Sequence, residues 1–383
     1  MTRRVVEIAL NGVTGRMGYN QHLVRSILAI REAGGLMLPD GTLVWPEPLL
    51  VGRNADKLRD IAERHGLKRW TTSLDEALAD PAIEVYFDAQ LTSQRQSALR
   101  AAIGAGKHVY AEKPLAETMD DALAVARLAD EAGVKGGVVQ DKLFLPGLLK
   151  LRRLVEGGFF GRVLSVRGEF GYWVFEGDWQ PAQRPSWNYR AEDGGGILLD
   201  MVPHWQYLLE GLLAPVRSVY AQAATHIPER FDERGERYAA TADDAAYLVF
   251  ELEGGVVAQI NSSWAVRVHR DELVEFQVDG TLGSAVAGLW GCRVQPRAAT
   301  ARAVWNPDVP ATEQYRAHWQ TVPDNHVFDN AFKSQWEAFL AHVVVGTPFP
   351  HDLYAGARGV QLAELAVLSA REGRRIPVPE PAR

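Results

Sequence analysis

The chain has 383 residues, of which 47% are hydrophobic and 23% charged, with a formal net charge of −7. That length exceeds one average domain and suits two, and the composition excludes disordered, collagen-like and low-complexity structure. The acidic balance leaves no basic surplus to neutralise a phosphate backbone, which argues against nucleic acid as a partner.

Residues 5–10 are a short apolar run suited to a buried strand. The run carries Glu7 and meets Gly12 where a secretory signal would have its cleavage site, so no signal peptide is expected. No stretch approaches the roughly 18 apolar residues of a membrane span, and a cytoplasmic protein without a membrane partner is expected. After the glycine turn, Leu23, Ile27 and Ile30 stand at helical spacing, and Gly34 and Gly35 stop that helix. Residues 36–45 read as a small hairpin around Pro39, Asp40 and Gly41, inserted before a second core strand at 49–52. A polar helix at 55–65, a helix from 75 to 79, a strand at 84–89, a helix at 94–105, a strand at 108–111, a helix at 118–132 and a strand at 135–140 follow. Repeated strand–helix units imply a doubly wound parallel sheet over residues 1–142.

A helix at 143–156 leads into a second domain, 143–383. Strands at 162–172, 216–225, 245–251, 256–263 and 272–278 succeed one another with few helices between them. Gly254 and Gly255 turn a hairpin, so this sheet should be large and mostly antiparallel. Helices are expected at 194–213, 329–345 and 354–371, and Pro377, Pro379 and Pro381 mark a frayed tail. The single cysteine, Cys292, excludes an intrachain disulfide, and no Cys/His cluster has zinc spacing, so no metal is expected.

The first turn carries the clearest chemistry. Gly12, Gly15 and Gly18 form G-x-x-G-x-x-G between the first strand and a helix. Gly15 lets the backbone approach a pyrophosphate, the helix start offers free N–H groups, and Gly18 permits close helix–sheet packing. A dinucleotide is the expected ligand. The second strand ends Val51-Gly52-Arg53-Asn54, without the carboxylate that would bind a ribose 2′-hydroxyl. Arg53 suits a 2′-phosphate, favouring NADP over NAD.

Two further motifs stand out. Glu112-Lys113-Pro114 follows a strand at the edge where such sheets bind ligands, and Pro114 restricts Lys113 to extended backbone. Gly195-Gly196-Ile197-Leu198-Leu199-Asp200-Met201-Val202-Pro203-His204 puts Asp200 and His204 on one helical face. Pro203 should kink that helix or mark its true start. Together with the glycine turn, the stretch 105–115 and Asp279-Gly280-Thr281-Leu282-Gly283-Ser284, these motifs resemble the Gfo/Idh/MocA family along almost the whole chain. This is the glucose–fructose oxidoreductase and inositol dehydrogenase group.

The resemblance implies an N-terminal Rossmann domain and a C-terminal α+β domain whose open sheet mediates a homo-oligomer, a dimer or tetramer. It implies a lysine, an aspartate and a histidine at the reacting carbon, which map to Lys113, Asp200 and His204. The candidate cofactor residues are Gly12, Thr14, Gly15, Arg16, Met17, Gly18, Arg53, Asn54, Gln90, Glu112 and Lys113. The segment before Asp200 mixes aromatic faces with polar groups, which suits a sugar or cyclitol ring. Its Trp173, Trp179, Trp187 and Tyr189 join Lys113, Asp200 and His204 as candidate substrate residues. Arg184 or Arg190 would meet an anionic substituent if the substrate has one.

The expected reaction moves a hydride between a ring secondary alcohol of a sugar, glycoside or cyclitol and a nicotinamide. His204 or Lys113 would be the base and the other would stabilise the alcohol oxygen, with Asp200 orienting the substrate or pairing with one of them. A dihydrodiol dehydrogenase and a non-catalytic nucleotide sensor on the same fold are the alternatives.

Overall fold

The N-terminal apolar run lengthens into β1 (Thr2–Asn11), in which Val6, Ile8, Ala9 and Leu10 are all buried. Burial on both faces is what the centre of a helix-covered parallel sheet requires. The computed structural model describes residues 2–302, 308–310 and 313–380. Around β1 it assembles β2 (Leu36–Met37), β3 (Thr42–Val51), β4 (Trp70–Thr71), β5 (Ile83–Asp88), β6 (His108–Ala111) and β7 (Gly136–Val138). The order is β2-β3-β1-β5-β6-β7, with β4 added on β3. Every pairing is parallel except that of β2 with β3. This is the Rossmann-type sheet, with the crossovers made by helices.

Two local expectations are corrected here. The helix after the glycine turn is a π-helix over Gly18–Leu28, continued by α1 (Ala29–Glu32). Its wider turn is matched by Ser26, whose hydroxyl donates to the Gln21 carbonyl five residues back at 2.7 Å. The hairpin is not an insertion ahead of a separate core strand: β3 runs unbroken from Thr42 through Pro46 and Pro48 to Val51. The two prolines are tolerated because of their parity. Leu50, in step with them, sends its N–H away from β1 to Arg69 of the flanking chain. The N–H groups that Pro46 and Pro48 lack would point the same way, between the stretches that β2 and β4 cover.

Helices α2 (Ala55–Arg64), α3 (Leu74–Ala79), α4 (Thr92–Gly104) and α5 (Met119–Glu131) complete the crossovers. Three of them start on side-chain caps, Asn54, Ser73 and Thr118, which accept from Lys57, Glu76 and Asp121 N–H.

The second unit comprises residues 145–328 and 362–380. The bridging helix expected from 143 begins at Pro146, as α6 (Pro146–Glu156), after a 3₁₀ turn at Asp141–Phe144. Leu145, which precedes the proline, is extended with ψ 142°. There follow β8 (Val163–Gly171), α7 (Ile197–Leu212), β9 (Val216–Ala224), β10 (Glu229–Phe231), β11 (Arg237–Ala239), β12 (Ala245–Leu252), β13 (Val257–Ser263), β14 (Val274–Gly280), β15 (Gly283–Ala287), β16 (Cys292–Pro296), β17 (Gln320–Thr321) and β18 (Ile376–Pro377). Nine of these strands form one sheet, β17-β16-β15-β14-β8-β13-β12-β9-β18, antiparallel except between β8 and β13. The architecture is thus α/β, with a Rossmann unit followed by a large, mostly antiparallel sheet. Helix α7 lies on β9, β12 and β13. On the other face Tyr220, Tyr247, Val249 and Val257 are exposed.

Pro377 does not lie in a frayed tail as expected. Pro377 is inside β18, pairing with Ser218, and Val378 donates to the Arg217 carbonyl. Pro381 lies outside the described residues.

Among the described residues, the first unit comprises 2–144 with 329–361. The returning segment contributes α8 (Ala331–Val345) and the first part of α9 (Leu353–Glu372). From it Trp336, Phe339, Leu340, Val343 and Phe349 enter the cluster that buries Val6, Ile8 and Leu10. No described helix is long and apolar enough to cross a membrane.

Candidate active site

The C-terminal ends of β1, β3, β5 and β6 bring together Gly12, Arg53, Gln90 and Lys113 along one sheet edge. Gly12 has φ +86°, and a β-carbon there would stand 2.7 Å from the Ala89 carbonyl carbon. A β-carbon on Gly18 would meet the Gly12 carbonyl oxygen at 2.4 Å. Gly18 therefore serves close packing of the helix start on the turn itself, not on the sheet as expected. Gly15 and Arg16 are exposed, and no side chain caps the helix start after Met17. The Gly15 N–H is spent on the Gly12 carbonyl at 3.0 Å and the Tyr19 N–H on the Gly15 carbonyl at 2.9 Å, so a dinucleotide pyrophosphate on this cradle would meet the N–H groups of Arg16, Met17 and Gly18. Thr14 packs beside Gly52. Arg53 is exposed, whereas Asn54 engages its side-chain oxygen as the cap of α2, 2.9 Å from Lys57 N.

Beneath this edge lies a buried polar network that the sequence did not announce. Asn11 Nδ2 donates to Tyr86 Oη and to Gln90 Oε1, both at 2.9 Å. Tyr86 donates to Asp88 Oδ2 at 2.7 Å, and Asp88 Oδ1 accepts from Arg95 Nε at 3.1 Å. Arg95 also donates to the Gln90 carbonyl at 2.7 Å and to the Pro114 carbonyl. Burial, together with the Asp88 carboxylate, pushes the Tyr86 hydroxyl well above its ordinary value. The network fixes Gln90 and one flank of the Lys113 turn.

Glu112 is 7% exposed, and its carboxylate faces inward. His22 Nε2 stands 2.8 Å from Glu112 Oε1, and the Lys113 main-chain N–H donates to Oε2 at 3.1 Å. Burial alone would raise this carboxyl. The hydrogen bond from His22 and the surrounding positive charge, that of Lys113 and Arg95 included, outweigh it together, and the net shift is downward. Both oxygens thus have protein partners, so Glu112 shapes the turn more than it offers a ligand. The Lys113–Pro114 peptide is cis.

In the second unit, α7 carries Asp200 and His204 as the spacing predicts. Pro203 neither starts nor ends it, since the helix runs from Ile197 to Leu212. The start is held by tight glycine contacts: a β-carbon on Gly195 would lie 2.4 Å from the Trp187 carbonyl oxygen. His204 is buried, with Nδ1 2.7 Å from the Tyr207 hydroxyl. Arg184 Nη2 donates to Asp200 Oδ2 at 3.0 Å, and the guanidinium lies 4.2 Å from the centre of the Trp264 ring. Arg184 thus meets a protein carboxylate, where the sequence suggested a substrate anion.

The expected aromatic residues are dispersed. Tyr189 is buried edge-on to Trp264 with the Arg230 guanidinium over its ring, and burial raises its hydroxyl well above the ordinary value. Trp173 lies under Arg267 and donates to Glu176, while Trp179 and Trp187 are exposed. Of the residues that the sequence reading missed, Tyr207 was findable at i+3 from His204, whereas the partnerships of Arg184 and His22 span separate segments.

Residues 48–140 match the model of the oxidoreductase family with an NAD-binding Rossmann fold, and residues 148–286 match that of the GFO/IDH/MocA C-terminal domain. The chain is 61% identical over 380 residues to a D-xylose dehydrogenase of Paenarthrobacter nicotinovorans, covering 98% of both chains. It is 26% identical over 264 residues to a levoglucosan dehydrogenase of Pseudarthrobacter phenanthrenivorans, covering 63% of this chain and 66% of that one. A solved levoglucosan dehydrogenase in complex with NADH and L-sorbose has a TM-score of 0.81 at 21% identity, over 99% of this chain and 100% of that one. At that identity the likeness speaks for the fold alone.

Proposed function

The chain belongs to the Gfo/Idh/MocA oxidoreductase family, and from that premise we propose that it is an NAD(P)-dependent dehydrogenase of D-xylose or a closely similar pyranose. The observation that carries the substrate is the end-to-end identity to a D-xylose dehydrogenase. The side chains supply chemistry to match. His204, buried and steadied by Tyr207, takes the proton of the ring hydroxyl. Lys113 hydrogen-bonds the same oxygen and stabilises its developing charge. Asp200, held by Arg184, accepts a hydrogen bond from a neighbouring substrate hydroxyl. The proton and oxygen roles of His204 and Lys113 are interchangeable in this scheme. A bound nicotinamide supplies the hydride acceptor at C4, and the glycine turn holds its pyrophosphate.

Arg53 at the end of β3, with no carboxylate beside it, supports a preference for NADP. The exposed face with Tyr220, Tyr247, Val249 and Val257 supports assembly of identical chains through the second sheet. The test is nicotinamide reduction by purified protein with NADP⁺ or NAD⁺ and a panel of pyranoses and cyclitols, with identification of the oxidised carbon. D-Xylose turnover that disappears in Lys113→Ala while nucleotide binding persists is expected. Near-normal turnover in that variant overturns the assignment.

A further inference from the structure

We propose that His22 is a positioning residue for Lys113, acting through Glu112 in a buried hydrogen-bond relay whose direction Trp336 sets. The inference rests on the reading above that Lys113 works at the reacting carbon.

The direction follows from what each group can do. An indole N–H donates and cannot accept. Trp336 Nε1 donates to His22 Nδ1 at 3.0 Å, so Nδ1 is an acceptor. The ring proton then sits on Nε2, which faces Glu112 Oε1 at 2.8 Å. The other oxygen, Oε2, accepts the Lys113 main-chain N–H at 3.1 Å. The relay therefore runs Trp336, His22, Glu112, Lys113 with every hydrogen assigned. His22 and Trp336 are fully buried, and Phe87 and Phe332 pack on the imidazole at ring-centroid distances of 4.2 and 5.3 Å. Water is thus kept from competing, and bonds in such surroundings are strong and costly to break.

The relay adds to the contacts that hold the turn of the lysine. Glu112 N–H is already tied to the Asp88 carbonyl at 2.9 Å, and the Pro114 carbonyl to Arg95. Between these two ties, Glu112 Oε2 holds the Lys113 main-chain N–H. His22 belongs to the π-helical segment that opens at Gly18. One piece of backbone thus carries both the nucleotide turn and the reference point for the lysine. The hydride acceptor and Lys113 have to meet the same carbon, so a shared anchor preserves their geometry, and displacements of about 1 Å at such centres cost up to a hundredfold in rate.

The alternative is a buried pair that only stabilises the core. A double-mutant cycle on the full chain with saturating nucleotide and D-xylose separates the two. His22→Leu is expected to lower kcat at least tenfold, roughly, with nucleotide Kd and sugar KM within about threefold of the parent. His22→Gln keeps one acceptor and one donor and should recover most of that loss. Added to Lys113→Ala, His22→Leu should slow the reaction little further, because its effect passes through the lysine. An unchanged kcat, no recovery in His22→Gln, or losses that multiply with Lys113→Ala would overturn the relay.

Where His22→Leu does not fold, the ¹⁵N spectrum of the parent protein decides. A proton on Nε2 and none on Nδ1 supports the relay, and a proton on Nδ1 overturns it. Failure of the underlying reading looks different, because Lys113→Ala would then turn over normally whatever happens at His22.

Discussion

Asp243 caps the helix that carries Asp200 and His204, its Oδ2 accepting the Leu198 main-chain N–H at 2.8 Å. The Asp243 carbonyl accepts the Ile197 N–H at 2.9 Å, so one residue far along the chain satisfies two donors of the first turn. Gly196 admits this contact with φ +123°, since a β-carbon there would stand 2.7 Å from Asp243 Oδ1. Asp243→Ala should cost about 0.5–2 kcal/mol of stability, the range for losing a helix cap, and lower kcat as the helix start loosens. Chemical unfolding of the two proteins checks this; equal midpoints would refute the cap.

Glu112 gives a pH prediction with a definite sign. Its folded carboxyl is lowered, so its contribution is complete above the ordinary glutamate value of about 4.3 and is lost as pH falls through the folded value. Glu112→Gln turns an amide N–H toward either His22 Nε2–H or the Lys113 N–H. At neutral pH it should cost about 1–3 kcal/mol. Melting curves from about pH 7 to about pH 3 should show the gap between the two proteins narrowing in acid. A gap constant across that range would contradict the lowered carboxyl.

Arg184 and Asp200 make a charge-assisted hydrogen bond over the Trp264 ring. Arg184→Met keeps the apolar stem and removes the guanidinium that orients the carboxylate. The expected outcome is about tenfold or more lost in kcat/KM for the sugar, in line with about 1.5–3 kcal/mol for hydrogen bonds to charged groups. Nucleotide affinity should be unchanged. Steady-state kinetics with each ligand varied in turn separates the two.

Arg53 tests the nucleotide preference. Arg53→Ala should weaken NADP⁺ by roughly 10- to 100-fold, the worth of one or two charge-assisted contacts, and leave NAD⁺ within about threefold. Equal losses for both nucleotides would show that Arg53 does not read the 2′-phosphate.

What was legible in the sequence was what local pattern dictates. The alternation of apolar runs with amphipathic stretches gave the parallel sheet, and the spacing of Asp200 and His204 gave their common helical face. Less legible were features set by parity or by distant partners. A hairpin ending at 45 and a strand beginning at 49 were read as separate, whereas β3 runs through both; a proline such as Pro46 or Pro48 shows that an N–H is missing but not which side of the strand it would have faced. The π-helix differs from an α-helix in its hydrogen bonds while still burying Leu23 and Ile27, so spacing alone could not distinguish them. Short strands such as β17 and β18 exist only through their neighbours. The side-chain partner of Glu112, His22, lies in the first helix, and the partner of His22, Trp336, lies in the late returning segment, and no window of sequence joins them.

The prolines of β3 have one further consequence. An exposed strand margin invites pairing with another chain when it offers a row of free N–H and carbonyl groups. Along residues 45–49 that row is interrupted twice, at Pro46 and Pro48, on the side away from β1. The stretch of β3 between β2 and β4 thus presents no proline N–H on that side, its Pro46 carbonyl is taken by Arg31 at 3.2 Å, and a foreign strand finds little there to pair with.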